Sequence, residues 1–136
     1  MSEETIRNCK RTGLEWIESH GTRLIHHSQK IWNYAELGLE EEKSAKTHID
    51  FLTEEGFSTM KSAAGIPTAF ISTWGQGKPV IGINCEYDAL PGLSQEVIPQ
   101  KQPVVPGAPG HGCGHNLLGA GGAGAAAALK SVMEKH

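Results

Sequence analysis

The sequence has few cysteines, no excess of basic charge and no long apolar run. Its three cysteines, Cys9, Cys85 and Cys113, cannot all pair within the chain and are widely spaced, which indicates a reducing, cytoplasmic environment. The chain has 12 basic and 15 acidic side chains, so its formal charge is -3. Because there is no excess of basic charge, we expect no nucleic-acid partner. No run approaches the ~18 apolar residues of a membrane-spanning helix, and the N-terminus lacks an apolar signal core, so we expect no membrane partner.

The first third of the chain has the periodicity of amphipathic helices. The length, 136 residues, suits one ordinary domain, and apolar spacings near 3.6 predict a first helix over residues 3–33. Acidic residues at its start and an apolar stripe predict a second helix over residues 41–55, which Gly56 would end. His26 and His27 are expected at the surface of the first helix. The apolar positions of the first helix are Leu14, Ile17, Leu24, Ile25, Ile31 and Trp32.

After Gly56 the pattern changes to that of short strands. Three β-prone runs, residues 57–61, 68–74 and 80–85, are separated by glycine and proline. The third run, VIGINC, is mostly apolar, which predicts a strand buried on both faces. A loop over residues 86–116 contains five prolines, and a last helix is predicted over residues 117–135 with Asn116 as its cap. This order predicts an α/β sandwich, and three strands with one covering helix make about half of such a domain.

The strongest chemical signal is the H-x-C-x-H pattern formed by His111, Cys113 and His115. In an extended segment, residues two apart point the same way, so two imidazoles and a thiolate could converge on a divalent metal ion. An open site with two or three protein ligands is typical of catalysis. Two alternatives stay open. Cys113 could be a nucleophile near a helix N-terminus with His111 or His115 as its base, or it could be an inert packing residue in an ordinary loop.

A second signal, EYDALPG at residues 86–92, directly follows the predicted buried strand. Ligand sites in open α/β sheets lie off the carboxyl ends of strands, so Glu86 or Asp88 could bind a metal or orient a metal-bound histidine. A solvated acidic turn is the alternative for this motif. By contrast, the G-x-G-x-x-G match at residues 119–124 follows no strand, so we interpret it as a small-residue helix face rather than a dinucleotide site.

Two long motifs, EYDALPG at residues 86–92 and GHGCGHNLLG at residues 110–119, resemble the zinc-type aminoacylase, carboxypeptidase and amidohydrolase metallopeptidases. The segment at residues 31–41 is similar to an early helix-turn of that family, and the likeness spans about residues 12–134. Within the family, the motifs are most similar to the branch that holds the aminobenzoyl-glutamate and indole-acetyl-amino-acid hydrolases.

The resemblance implies a three-layer zinc-peptidase-like sandwich of which residues 1–136 are the N-terminal portion, without the dimerisation domain and the C-terminal half. It implies two divalent ions, zinc or manganese, with Cys113 as the bridging ligand and His115 as a further ligand. Asp88 takes the position of the carboxylate that steers the metal site, and we expect it among the catalytic residues. Glu86 stands where other relatives have a metal-binding histidine and is not assigned, nor is a role given to His111.

The implied activity is hydrolysis of an amide bond in an N-acyl amino acid or dipeptide-like substrate such as aminobenzoyl-glutamate, by a homo-oligomer. The general base and the remaining ligands would lie beyond residue 136, so the site would be incomplete in this chain. A non-catalytic metal-binding or partner-binding fragment is the alternative function. A segment of this kind is also expected to expose a sheet edge and to associate with other chains.

Overall fold

The computed structural model describes all 136 residues and contains three α-helices and one two-stranded sheet. The two strands are joined by a connection that includes a short 3₁₀ turn. No helix or strand lies between the second strand and the last helix. The elements are α1 (Glu3–Tyr34), α2 (Glu42–Glu54), β1 (Ser58–Lys61), the 3₁₀ turn (Ala63–Gly65), β2 (Phe70–Thr73) and α3 (His115–Lys135).

All three predicted helices are confirmed, and α1 runs without a break through both of its glycines. The Ser2 side chain caps α1 by accepting a hydrogen bond from the Thr5 amide at 3.1 Å. The chain leaves α1 at Ala35 and α2 at Gly56, both with positive φ, as expected for residues that end a helix in the left-handed region. None of the helices combines the length and the apolarity that a membrane crossing requires.

The predicted cap of α3 is wrong. The helix begins at His115, and Gly114 precedes it in the left-handed conformation without any side-chain cap. Asn116 is instead buried inside the first turn of α3, where its side-chain amide donates to the Ser28 hydroxyl at 2.9 Å. Asn116 therefore attaches α3 to α1, because a buried amide has to find a hydrogen-bond partner there.

The sheet is smaller than predicted. β1 and β2 pair antiparallel, with Ser58 opposite Thr73, and they lie within two of the three predicted runs. The third prediction is wrong for this chain, because residues 80–85 form no strand and residues 74–88 make no backbone–backbone hydrogen bond. Val80 is 85% exposed and Ile81 is 69% exposed. A strand needs a hydrogen-bonded neighbour, and residues 80–85 make no backbone hydrogen bond with any other segment, although α3 packs against Cys85 at Gly122.

The core lies between α2 and α3. Phe51 and Leu52 of α2 pack against Ala123 and Ala127 of α3. The predicted apolar stripe of α1 is wrong in part: Ile31 is buried as predicted, but Leu14 and Ile25 are exposed, and the polar residues Thr12, His27 and Ser28 are buried instead. The glycines of residues 119–124 lie inside α3, and a long loop rather than a strand directly precedes this helix. Because they are part of a helix, these glycines form no dinucleotide-binding turn. They allow close packing of α3 instead.

Candidate functional site

The two long sequence motifs lie side by side. Leu90 and Gly110 exchange a pair of backbone hydrogen bonds, each 3.0 Å long, which joins the segment after Asp88 to the segment before His111. The Ala89 amide donates to the Glu36 carbonyl at 2.7 Å, so the first motif is also attached to the turn after α1. These contacts place the acidic residues of one motif beside the imidazole at the start of α3.

His115 lies between two carboxylates. Its Nδ1 is 2.8 Å from Asp88 Oδ1 and 3.1 Å from the Asp88 carbonyl oxygen, and its Nε2 is 3.1 Å from Glu86 Oε2. An oxygen acceptor at Nδ1 fixes that nitrogen as the N–H donor and orients the ring. Nε2 then faces the carboxylate of Glu86, so each ring nitrogen of His115 lies against a carboxylate oxygen. The structure therefore brings together His115 and Asp88, two of the candidate site residues, and places Glu86 beside them.

Cys113 does not lie in an extended segment. The segment from His111 to Gly114 forms a turn, closed by the Gly114 amide donating to the His111 carbonyl at 3.2 Å, and the Cys113 side chain is exposed. The predicted extended geometry is wrong because this turn replaces it. His111 is directed to α1, where its Nε2 donates to the Ile31 carbonyl at 3.1 Å, and its Nδ1 is buried without a partner. Burial is the main cause that lowers the pKa of His111.

No three histidine, cysteine, aspartate or glutamate side chains converge closely enough to hold a metal ion as they stand. The nucleophile alternative also lacks support in the geometry. No imidazole hydrogen-bonds Cys113, since His111 is engaged with Ile31 and His115 with the carboxylates. A thiol without a neighbouring base has no residue to take its proton.

Tyr87 attaches the acidic segment to the connection before β2. Its hydroxyl donates to the Thr68 carbonyl at 2.5 Å, and the Thr68 hydroxyl donates to Glu41 Oε2 at 2.7 Å. Burial, followed by the charges of Glu41 and Asp88, raises the pKa of Tyr87 to about 12, so the hydroxyl remains a donor. A cavity of about 210 Å³ opens beside this network and is lined in part by Glu86 and Asp88. This volume is below the ~300 Å³ at which small-molecule sites usually begin.

Two buried histidines lie directly behind the site. His27 of α1 and His48 of α2 join through Nε2 and Nδ1 at 2.9 Å, and they are 5% and 1% exposed. Burial, helped by Lys30 and Arg23, lowers the pKa of His27 to about 4, and burial together with His27 lowers that of His48 to about 3. The surface prediction for His27 is therefore wrong.

His48 was missed by the sequence analysis, although a signal was available. It lies three residues after Ala45 and four before Leu52, so it falls on the apolar stripe of α2. A histidine on such a stripe is buried together with its apolar neighbours, and its ring nitrogens then need partners inside the protein.

No family model matches the chain. Over 121 residues it is 44% identical to a p-aminobenzoyl-glutamate hydrolase subunit of Escherichia coli, covering 88% of this chain and 25% of that protein. It is 31% identical over 143 residues to Xaa-Arg dipeptidase of Mus musculus, covering 98% of this chain and 30% of the relative. It is 30% identical over 138 residues to Xaa-Arg dipeptidase of Homo sapiens, covering 92% and 28%.

The chain belongs to the aminoacylase, carboxypeptidase and amidohydrolase family of peptidases, which confirms the resemblance that the two motifs indicated. It is similar both to an aminobenzoyl-glutamate hydrolase subunit and to dipeptidases. The chain spans only a quarter to a third of the length of these relatives.

Proposed function

We propose that this chain forms part of a metal-dependent hydrolase that cleaves an amide bond in an N-acyl amino acid or dipeptide-like substrate. The observation that carries the proposal is the contact of 2.8 Å between Asp88 and His115. His115 is the first residue of α3 and lies two residues after Cys113. The relatives support the reaction class, because each is named as a hydrolase or a dipeptidase. The 44% identity favours aminobenzoyl-glutamate as the model substrate over a dipeptide that ends in arginine.

The donor set of the site fits a divalent metal. Asp88 holds the Nδ1 side of His115, which leaves Nε2 as the nitrogen available to a metal, an arrangement common around metal-binding histidines. The negative Glu86 carboxylate at 3.1 Å from Nε2 favours a cation at that position. Cys113 is exposed and free of hydrogen-bond partners, so its thiolate can turn toward the same cation. Imidazole and thiolate together favour zinc, and carboxylate oxygens also accept manganese.

The chain's own residues would hold and orient the site. His115 and Cys113 would be the ligands from this chain, and Asp88 would act as a positioning residue by fixing the plane of the His115 ring. A pair of divalent ions supplies Lewis acidity toward the scissile carbonyl and lowers the pKa of water. The Leu90–Gly110 bridge keeps the two motifs in register, so the carboxylates and the ligand loop would move as one unit.

A direct test is hydrolysis of aminobenzoyl-glutamate by the protein expressed from its complete reading frame. We expect release of aminobenzoate that stops after removal of metal by a chelator and returns with zinc or manganese. An Xaa-Arg dipeptide serves as the comparison substrate and is expected to give the lower kcat/KM. Absence of hydrolysis for both substrates with every divalent metal tried would refute the proposed function.

We also propose that residues 1–136 form part of a three-layer α/β sandwich. The apolar segment at residues 80–85 has the composition of a buried central strand, yet its amides and carbonyls have no partner in this chain. The proposal requires partner strands that residues 1–136 do not supply. Such strands would cover the exposed Val80 and Ile81 and would hold Glu86 at the carboxyl end of the sheet, where ligand sites form.

Hydrogen exchange in the protein expressed from its complete reading frame tests this proposal. Amides of residues 81–85 are expected to exchange at least about 100-fold more slowly than the exposed Lys101 amide, because strand pairing would protect them. Equally rapid exchange at both places would mean that this segment is a loop and that the sandwich proposal is wrong.

A further inference from the structure

The buried His27–His48 pair contacts the backbone of the candidate site. A Cβ atom built on Gly119 of α3 would lie 2.6 Å from the Glu86 carbonyl oxygen and 2.7 Å from His48 Nε2. The carbonyl and the ring nitrogen therefore meet at the same face of this glycine. Neither atom has a hydrogen-bond partner: His48 Nε2 is buried and unpaired, and the Glu86 carbonyl accepts no bond.

The buried, unpaired Nε2 of His48 is an energetically costly feature. A buried polar atom without a partner costs about 1–3 kcal/mol, so native proteins rarely keep one without a role. The surroundings of His48 are otherwise apolar or aromatic, since its ring packs 5.1 Å from the Tyr87 ring and 6.3 Å from the Phe70 ring. The Glu86 carbonyl is therefore the acceptor available to Nε2.

The tautomer of the pair follows from this geometry. The two neutral rings share one hydrogen bond, between His27 Nε2 and His48 Nδ1. If His27 donates, His48 carries its own proton on Nε2 and points an N–H toward the Glu86 carbonyl. The opposite arrangement would direct a nitrogen lone pair at the carbonyl oxygen, which is repulsive. The carbonyl thus selects the tautomer in which His48 is protonated at Nε2.

We propose that His48 is a positioning residue of the candidate site, and that its Nε2–H, fixed in that tautomer by His27, binds the Glu86 main-chain carbonyl. The bond closes when the Glu86 backbone moves toward α2, and it then sets where the Glu86 and Asp88 carboxylates stand around His115. Residues 74–88 make no backbone–backbone hydrogen bond, so no main-chain donor competes with His48 for the Glu86 carbonyl. This role rests on the proposed function, which requires His115 to be oriented for a metal.

The test compares His48→Met, which keeps a similar volume but has no donor, with His48→Gln, whose amide can restore one. In the protein expressed from its complete reading frame, we expect His48→Met to weaken zinc binding about tenfold, and His48→Gln to stay within about twofold of the unmodified protein. The matched control is His26→Met, because His26 is the exposed neighbour of His27 on α1. Zinc binding by His48→Met equal to that of the control would overturn the proposal, as would equal losses for the Met and Gln variants.

A second readout needs neither metal nor turnover. Nitrogen-15 spectra of the histidine rings in the metal-free, unmodified protein should show His48 protonated at Nε2 and unprotonated at Nδ1. Protonation at Nδ1 would overturn the proposal even if the Met variant failed to fold. If the unmodified protein neither bound zinc nor hydrolysed substrate, the proposed function would fail, whereas the tautomer of His48 would still decide this inference.

Discussion

Replacement of Cys113 by alanine is expected to remove metal from the protein and to lower turnover of aminobenzoyl-glutamate more than about 100-fold. The reason is that the thiolate and the His115 imidazole would be the two ligands that this chain supplies. Loss of even a residue that only supports a ligand costs 10–100-fold in affinity or activity, so loss of a ligand should cost more. Metal content per chain after dialysis and the rate of aminobenzoate release measure the two effects in the protein expressed from its complete reading frame.

Cys9→Ala is the matched control for this substitution. Cys9 lies in the first part of α1, outside both motif segments, and is partly buried. The same loss of a thiol at this position should leave both metal content and turnover unchanged. Full metal content in the Cys113 variant would show that the thiolate is not a ligand.

Replacement of Gly119 by alanine is expected to destabilise the protein by about 1–3 kcal/mol, the usual cost of forcing an extra methyl group into a packed site. The added carbon would lie 2.6 Å from the Glu86 carbonyl oxygen and 2.7 Å from His48 Nε2, far inside van der Waals contact. Because one of these neighbours is backbone, relief requires α3 or the Glu86 segment to move. Urea unfolding measures the change in the free energy of unfolding, and turnover should fall as Glu86 is displaced.

Gly121→Ala makes the same chemical change two residues further along the same helix. Nothing lies within 4 Å of a Cβ at that position, which is exposed. Alanine is favoured over glycine in a helix interior by about 1 kcal/mol, so this variant should be slightly more stable than the unmodified protein. Equal stability of the two variants would mean that the close approach of α3 to Glu86 does not exist in solution.

The helices could be predicted from the sequence because their signals are local. An apolar repeat near 3.6 residues is set by residues that are close in sequence, and so is a helix end at a glycine with positive φ. For example, α2 ends before Gly56 as expected. The two strands β1 and β2 could also be predicted, since each lies within a short β-prone run. Asp88 and His115 were singled out by motifs specific to a family rather than by periodicity, and their contact of 2.8 Å is visible only in the structure.

The errors arose where tertiary contacts decide the outcome. Asn116 is of a residue type that often caps helices, but its side-chain amide instead donates to the buried Ser28 hydroxyl. The third predicted strand, residues 80–85, needs neighbours that no segment of the chain provides. The loop around Cys113 forms a turn closed by the Gly114 amide and the His111 carbonyl, and it follows the Leu90–Gly110 bridge; no periodicity could reveal either contact.

The most direct test of the proposed metal site is X-ray absorption at the metal edge of the zinc-loaded protein expressed from its complete reading frame. The proposal predicts a sulfur ligand together with imidazole scattering, and it predicts that the sulfur signal disappears in Cys113→Ala. A fully loaded, active protein whose metal has only oxygen and nitrogen neighbours would contradict the assignment of Cys113 and His115 as joint ligands.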